Sequence, residues 1–263
     1  MKNVELNRVY IEDCIEFMKK MPAESVDLTF ADPPYNLQKS YSRYKDDKTS
    51  HEYIAWCNLW LEQMARILKK TGSLYVLNLP KWAVYHAVFL DRLLCRQNWI
   101  VWDALSTPLG KLMPAHYALL FYTKQRKDYV FNPQTTVNDY DSCYREKCVR
   151  MRKDIEGRPV SDIWFDLHRI RHSRKRDKHP CQLPLKLLER IILASTNMGG
   201  IVFDPFMGVG TTAVVAKLLN RNFIGCEIDN KYEKIISDKV EDYNNYRREL
   251  STIADLERSG KFF

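Results

Sequence analysis

Strand and helix periods alternate along the first part of the chain. A short strand pattern over Arg8 to Ile11 gives way to helical spacing from Cys14 to Met21, and then to an apolar run from Val26 to Ala31. This is the grammar of a βαβ unit. A polar, aromatic-flecked loop from Asn36 to Ser50 follows. Thr49 and Glu52 then form a capping box for a helix whose apolar residues recur at Cys57, Trp60, Met64 and Leu68, with Lys69, Lys70 and Gly72 as its predicted stop. Ser73 to Leu79 reads as a buried strand and Lys81 to Cys95 as a helix. Trp99 to Asp103 and His116 to Thr123 read as further strands.

Residues 124–178 keep neither period and are predicted to form an irregular insertion. Regular alternation returns with a helix from Leu183 to Ser195, a strand from Ile201 to Asp204, a glycine loop, and a helix from Thr211 to Leu219. A strand from Asn222 to Glu227 and a long polar C-terminal helix complete it. Strands alternating with helices predict a Rossmann-like, doubly wound α/β fold, its sheet mostly parallel and covered by helices on both faces. The division expected is a first half over 1–123, an insertion over 124–178 and a second half over 179–263.

Composition narrows the class. The 263 residues are 45% hydrophobic and 28% charged, with only 9 Gly and 11 Pro, which excludes a disordered or collagenous chain. No apolar run approaches the length of a membrane span and the N-terminus lacks a secretory signal, so the expectation is a cytoplasmic protein with no membrane partner. The seven scattered cysteines read as reduced thiols. Charge adds more. The formal net charge is +8, and the stretch from Cys143 to His179 carries twelve Lys or Arg against six acids. Such a stretch is either a solvated face or a nucleic-acid interface.

Two loops carry candidate chemistry. Gly208, Gly210 and Ala213 fit G-x-G-x-x-A between a strand and a helix, and the next strand ends in Glu227, a carboxylate able to bind both hydroxyls of a ribose. An adenine nucleoside or nucleotide derivative is the expected ligand. The other loop, Asp32-Pro33-Pro34-Tyr35, also leaves the C-terminal end of a strand. Its prolines stiffen the backbone and leave carbonyls without strand partners. Asp32 and the Pro33 carbonyl could each accept one hydrogen of an exocyclic amine, with Tyr35 stacking on the ring that bears it.

Together, Asp-Pro-Pro-Tyr and Phe206-Met207-Gly208-Val209-Gly210 resemble the catalytic motif and donor loop of amino-group DNA methyltransferases. Their order, with the basic stretch between them, resembles that family's β group. The likeness extends over about residues 5–240. Asp13 resembles the acid near the donor's adenine, and His179-Pro180-Cys181-Gln182-Leu183-Pro184 resembles the stretch opening the helix before the donor loop. Leu183 and Cys181 depart from it, standing where the family commonly has lysine and threonine. The resemblance implies S-adenosylmethionine as methyl donor, held by Asp13, Asp204, Phe206, Gly208, Gly210, Thr211, Thr212, Glu227 and Ile228. It implies Asp32, Pro33 and Tyr35 as the catalytic group and adenine N6 of a flipped-out base as the target, with cytosine N4 the alternative. The partner implied is double-stranded DNA, contacted by Arg169, Arg171, Arg174, Lys175 and Arg176, with Gln134 and Asn138 as further base readers. A cognate restriction endonuclease and a homodimer are compatible with this likeness.

Rival classes account for less of the chain. A nicotinamide-dependent oxidoreductase explains the glycine loop but neither Asp32 to Tyr35 nor the basic stretch. An inert nucleic-acid-binding homologue leaves the two loops without a purpose. Cys143-x4-Cys148 and His168-x3-His172 have ligand-like spacing, but the gap between the pairs is longer than a zinc finger's, and no metal is expected.

Overall fold

The computed structural model describes residues 4–39, 43–103, 115–133, 160–167 and 183–250, and the backbone alone at 135–136 and 158–159. The chain order begins β1 (Arg8–Ile11), α1 (Cys14–Lys20), β2 (Val26–Ala31), α2 (Ser50–Ile67), β3 (Leu68–Asn78), α3 (Pro80–Leu90), β4 (Cys95–Asp103) and β5 (His116–Thr123). It continues with β6 (Thr135–Thr136), β7 (Arg158–Pro159), β8 (Ile163–Trp164), α4 (Leu185–Ser195), β9 (Ile201–Asp204), α5 (Thr211–Leu218), β10 (Asn222–Glu227) and α6 (Glu233–Glu241). Eight strands form one open sheet in the order β1-β10-β9-β2-β3-β5-β4-β8. Pairing is parallel except where β5 lies antiparallel to β3 and β4, so the sheet is mixed and mostly parallel as expected. The short β6 and β7 pair with each other.

Alternation along the strands feeds two cores. Leu28, Phe30, Tyr75, Leu77, Leu119 and Phe121 point to a core closed by α4, α5 and α6. Leu74, Val76, Leu120, Tyr122, Phe203 and Ile224 point to the opposite core, closed by α1, α2 and α3. Both faces are buried, which is why the central strands read as near-continuous apolar runs. No helix among the described residues is long and apolar enough to cross a membrane.

Several boundaries differ from the sequence expectation. Lys69, Lys70 and Gly72 do not stop α2; they belong to β3, which starts at Leu68 with a register shift against β2. A Cβ on Gly72 would lie 2.8 Å from the Asp27 carbonyl oxygen, so close strand approach accounts for this glycine. The helix expected to reach Cys95 ends at Leu90, although Leu94 is still buried one helical repeat on, and β4 begins at Cys95. The long C-terminal helix is broken. α6 gives way to a 3₁₀ stretch over Tyr243–Glu249, where Tyr243 and Tyr246 pack on the core at a spacing of three that suits the tighter helix.

Within the aperiodic stretch, residues 160–167 return to the body. β8 extends the sheet beside β4, the Trp102 indole donates to the Leu167 carbonyl at 2.6 Å, and Arg190 on α4 forms a bidentate pair with Asp166.

Candidate active site

β9 lies between β10 and β2, and the loops leaving the C-terminal ends of β1, β2, β9 and β10 open into one cleft. The cleft encloses about 1130 Å³, counting the part open to solvent. This is where open α/β sheets gather ligands. Asp32, Pro33 and Tyr35 line it, as do Asp13, Asp204, Phe206, Gly208, Thr211, Thr212, Glu227 and Ile228. The two sequence-distant loops therefore converge. Gly210 stands behind the lining as the N-cap of α5.

The glycine loop is built by backbone geometry. Gly208 (φ +55°) and Gly210 (φ +82°) both occupy the left-handed region. Gly225, which the sequence did not mark, gives the loop room: a Cβ there would overlap the Met207 side chain. Asp204 staples the loop from below, with Oδ1 accepting from Phe206 N at 2.8 Å and Oδ2 from Thr212 Oγ1 at 2.5 Å. Full burial pushes its carboxyl up to about 7 against the pull of these bonds. Glu227 accepts from Gly208 N at 2.8 Å and from Asp229 N at 2.9 Å, and burial raises its carboxyl as well. Asp13 caps α1, accepting from the amides of Ile15 and Glu16, a structural task carried beside its place in the cleft wall.

The Asp32 loop is fixed by its own tyrosine. Tyr35 Oη donates to Asp32 Oδ1, and the Tyr35 ring tilts against Tyr117 at 5.6 Å. The ring expected to stack on a substrate is thus largely buried at the cleft wall. Beyond it, the buried Asp46 carboxylate accepts from the amides of Asn36, Leu37 and Lys39, and the Asn36 side chain bridges both backbone groups of Lys48. Sequence reasoning missed Asp46, because a single acid in a polar loop carries no periodic signal. It also missed Trp56, Tyr232 and Asp229, which line the cleft; Asp229 was marked only by standing two residues beyond Glu227.

Arg169, Arg171, Arg174, Lys175 and Arg176 lie outside the described residues, as do Gln134, Asn138, Cys143, Cys148, His168 and His172. Among the described residues no group of three metal-ligating side chains forms, and Cys14, Cys57, Cys95 and Cys226 are free thiols.

The profile of the DNA methylase family that carries the N6/N4 methyltransferases matches residues 26–238. The type II methyltransferase M.BamHI of Bacillus amyloliquefaciens is 37% identical over 98% of the chain, which spans 62% of that protein's length. The DNA adenine methyltransferase YhdJ of Escherichia coli K12 is 33% identical over 90% of the chain and 83% of its own. Among solved structures, a DNA modification methylase of Thermus thermophilus complexed with S-adenosyl-L-methionine superposes with a TM-score of 0.64 at 20% identity, covering 90% of this chain and 93% of the other. The cytosine-N4-specific PvuII methyltransferase gives 0.62 at 20% identity, covering 93% of each. The mostly parallel sheet, the glycine loop facing Asp-Pro-Pro-Tyr across one cleft, and these matches over most of the chain agree: the protein belongs to the DNA methylase family.

Proposed function

We propose that the chain transfers a methyl group from S-adenosylmethionine to adenine N6 of a base flipped out of double-stranded DNA. The observation that carries this is the convergence of Asp32 and Pro33, at the end of β2, with Gly208 and Glu227, at the ends of β9 and β10, on one cleft. The cleft residues fit the donor. Gly208 has no side chain to fill the wall, the Glu227 carboxylate stands where ribose hydroxyls would bond, and Phe206, Leu183 and Ile228 offer apolar surface to an adenine. When bound, the sulfonium supplies an electrophilic methyl carbon, whose bond to sulfur breaks as the bond to the amine nitrogen forms.

The chain's own contribution is positioning and electrostatics. A carboxylate has about four acceptor positions, so Asp32 can hold the Tyr35 hydroxyl and still accept an amino hydrogen. The Pro33 carbonyl accepts the other. Both bonds draw the amine nitrogen toward a tetrahedral shape and turn its lone pair to the methyl carbon. The carboxylate also favours the positive charge that develops on nitrogen before one amino proton passes to solvent water, leaving the neutral thioether as the other product. Cytosine N4 presents the same pair of hydrogens, and adenine is assigned from the likeness to Asp-containing catalytic motifs and to YhdJ.

Residues 1–123 and 179–263 form the two halves of the transfer site in this proposal, and 124–178 serves target recognition through Arg169, Arg171, Arg174, Lys175 and Arg176. The type II names of relatives point to a restriction endonuclease of matching specificity as functional partner. A second copy of the chain is the occupant we propose for the outer face of α3, where Val84, Tyr85 and Val88 are exposed. Apart from Lys81 the outward positions of α3 are apolar, and such a face is ordinarily covered. Sedimentation of the protein and of Val88→Asp checks this: a dimer that the substitution dissociates supports it, and a monomeric protein overturns it.

The deciding experiment incubates the protein with S-adenosylmethionine labelled in the methyl group and unmodified DNA, followed by nucleoside analysis. Labelled N6-methyladenine is expected. N4-methylcytosine would move the assignment to the other base, and no labelled nucleoside would overturn the proposal.

A further inference from the structure

Behind the Asp32 loop lies a line of buried polar groups that the transfer chemistry does not touch. The Tyr53 hydroxyl, on α2, donates to the Pro34 carbonyl at 2.6 Å, and the Trp82 indole, on α3, donates to the Tyr35 carbonyl at 2.8 Å. Among the described residues no hydrogen bond reaches the Pro33 carbonyl. Tyr53 in turn accepts from Asn78 Nδ2 at 3.1 Å, and the same amide nitrogen donates to His86 Nε2 at 3.0 Å.

The direction of every bond in this line is fixed. Asn78 Oδ1 accepts from Leu79 N at 2.7 Å, which settles the orientation of the amide. Its nitrogen can therefore only donate, so His86 Nε2 must carry a lone pair and the ring proton sits on Nδ1. A carbonyl can only accept, so the Tyr53 proton points at Pro34. Tyr53, Asn78 and His86 are fully buried and Trp82 is nearly so, so water does not compete. His86 Nδ1 is buried without a partner. An orphaned buried donor is destabilising, so this network is not arranged for stability alone.

We propose that Tyr53, oriented through Asn78 and His86, and Trp82, bonded directly to the Tyr35 carbonyl, are positioning residues for methyl transfer. They occupy the Pro34 and Tyr35 carbonyls from behind, so that of three consecutive carbonyls only that of Pro33 is presented to the substrate amine. This rests on the transfer reaction proposed above. Without the two donors the peptide planes at Pro34 and Tyr35 can rotate, the Pro33 carbonyl loses its aim, and the amine can bond elsewhere. Donor and DNA binding use other groups and are not involved.

Tyr53→Phe removes one oxygen and keeps the ring. The expected result is a single-turnover rate at saturating donor and DNA reduced about ten- to hundredfold, the scale of a small misplacement at a reacting centre. Dissociation constants for donor and DNA should stay within about twofold. An unchanged rate overturns the proposal, as does a rate loss matched by an equal loss of donor affinity, which a merely structural role would produce. His86→Leu and His86→Gln form the second test: glutamine restores an acceptor for Asn78 and should recover much of the rate that leucine loses, whereas equal rates in the two variants overturn the relay. Hydrogen exchange across residues 32–39 needs no activity. Faster exchange in Tyr53→Phe supports the brace and unchanged exchange refutes it, even where a wild-type protein forming no methylated base has refuted the transfer reaction instead.

Discussion

Gly208 N and Glu227 Oε2 are 2.8 Å apart, so the glycine loop after β9 is tied directly to the tip of β10. Nineteen residues separate them in sequence, and α5 runs between. The bond sets the height of the loop over the sheet. The second carboxylate oxygen holds Asp229 N at 2.9 Å, so both oxygens work on the backbone as well as facing the cleft.

Glu227→Gln therefore replaces one acceptor with an amide that cannot accept. One of the two backbone amides is left facing another donor. Donor affinity is expected to fall about ten- to hundredfold, the range for removing charge-assisted bonds. Calorimetric titration with S-adenosylmethionine checks this, and affinity equal to wild type would remove Glu227 from the donor site.

Asp32→Ala should leave donor and DNA binding nearly intact and reduce methyl transfer about 10²–10³-fold or more, because the carboxylate acts on the amine and its developing charge. Filter binding and single-turnover transfer of labelled methyl, measured on the same preparation, separate the two effects. Undiminished transfer would sink the assignment of Asp32.

His86 supplies a pH signature in stability. Burial lowers its pKa from 6.5 to about 4, so the folded protein keeps the ring neutral where the unfolded chain takes up a proton. The unfolded state then binds more protons between about pH 6.5 and pH 4, and stability falls as pH falls through that window. Measured against His86→Leu, wild type should lose up to about 3 kcal/mol of unfolding free energy on going from pH 7 to pH 4. The comparison matters because Asp204, held protonated up to about 7, acts in the opposite direction. A difference independent of pH would show that the ring titrates normally.

Reversing Arg171, Arg174 and Arg176 to glutamate should weaken DNA binding and flatten its salt dependence, by about 0.9 of a log–log unit for each phosphate that is no longer neutralised. Binding isotherms at several salt concentrations test this. Unmoved affinity and slope would make the basic stretch a solvated face.

Much of this architecture was legible because both faces of the sheet are buried. Runs such as Val26 to Ala31 and Leu74 to Leu77 can be little else than inner strands of a sheet covered on both faces, and Gly208 with Gly210 marks a loop with left-handed backbone. The boundaries that went astray did so where a residue type had two physical uses. Gly72 suits a helix end and also a close strand crossing, and Leu90 with Leu94 keeps helical spacing across a turn. The brace behind Asp-Pro-Pro-Tyr was illegible: Tyr53, Asn78, Trp82 and His86 come from three elements, and only packing brings their polar atoms into line.

The return of Trp164 and Leu167 to the sheet edge limits how far its neighbours can travel. One end of segment 168–182 is moored by the Trp102 indole at Leu167, and the other begins at Leu183, in the cleft wall itself. Fifteen residues join these two points, at most roughly 55 Å of extended chain. In the proposed function, phosphates held by Arg169 to Arg176 are reached from Leu167 at the sheet edge and from Leu183 in the cleft wall. In that proposal the hold on DNA starts from the walls that frame the chemistry.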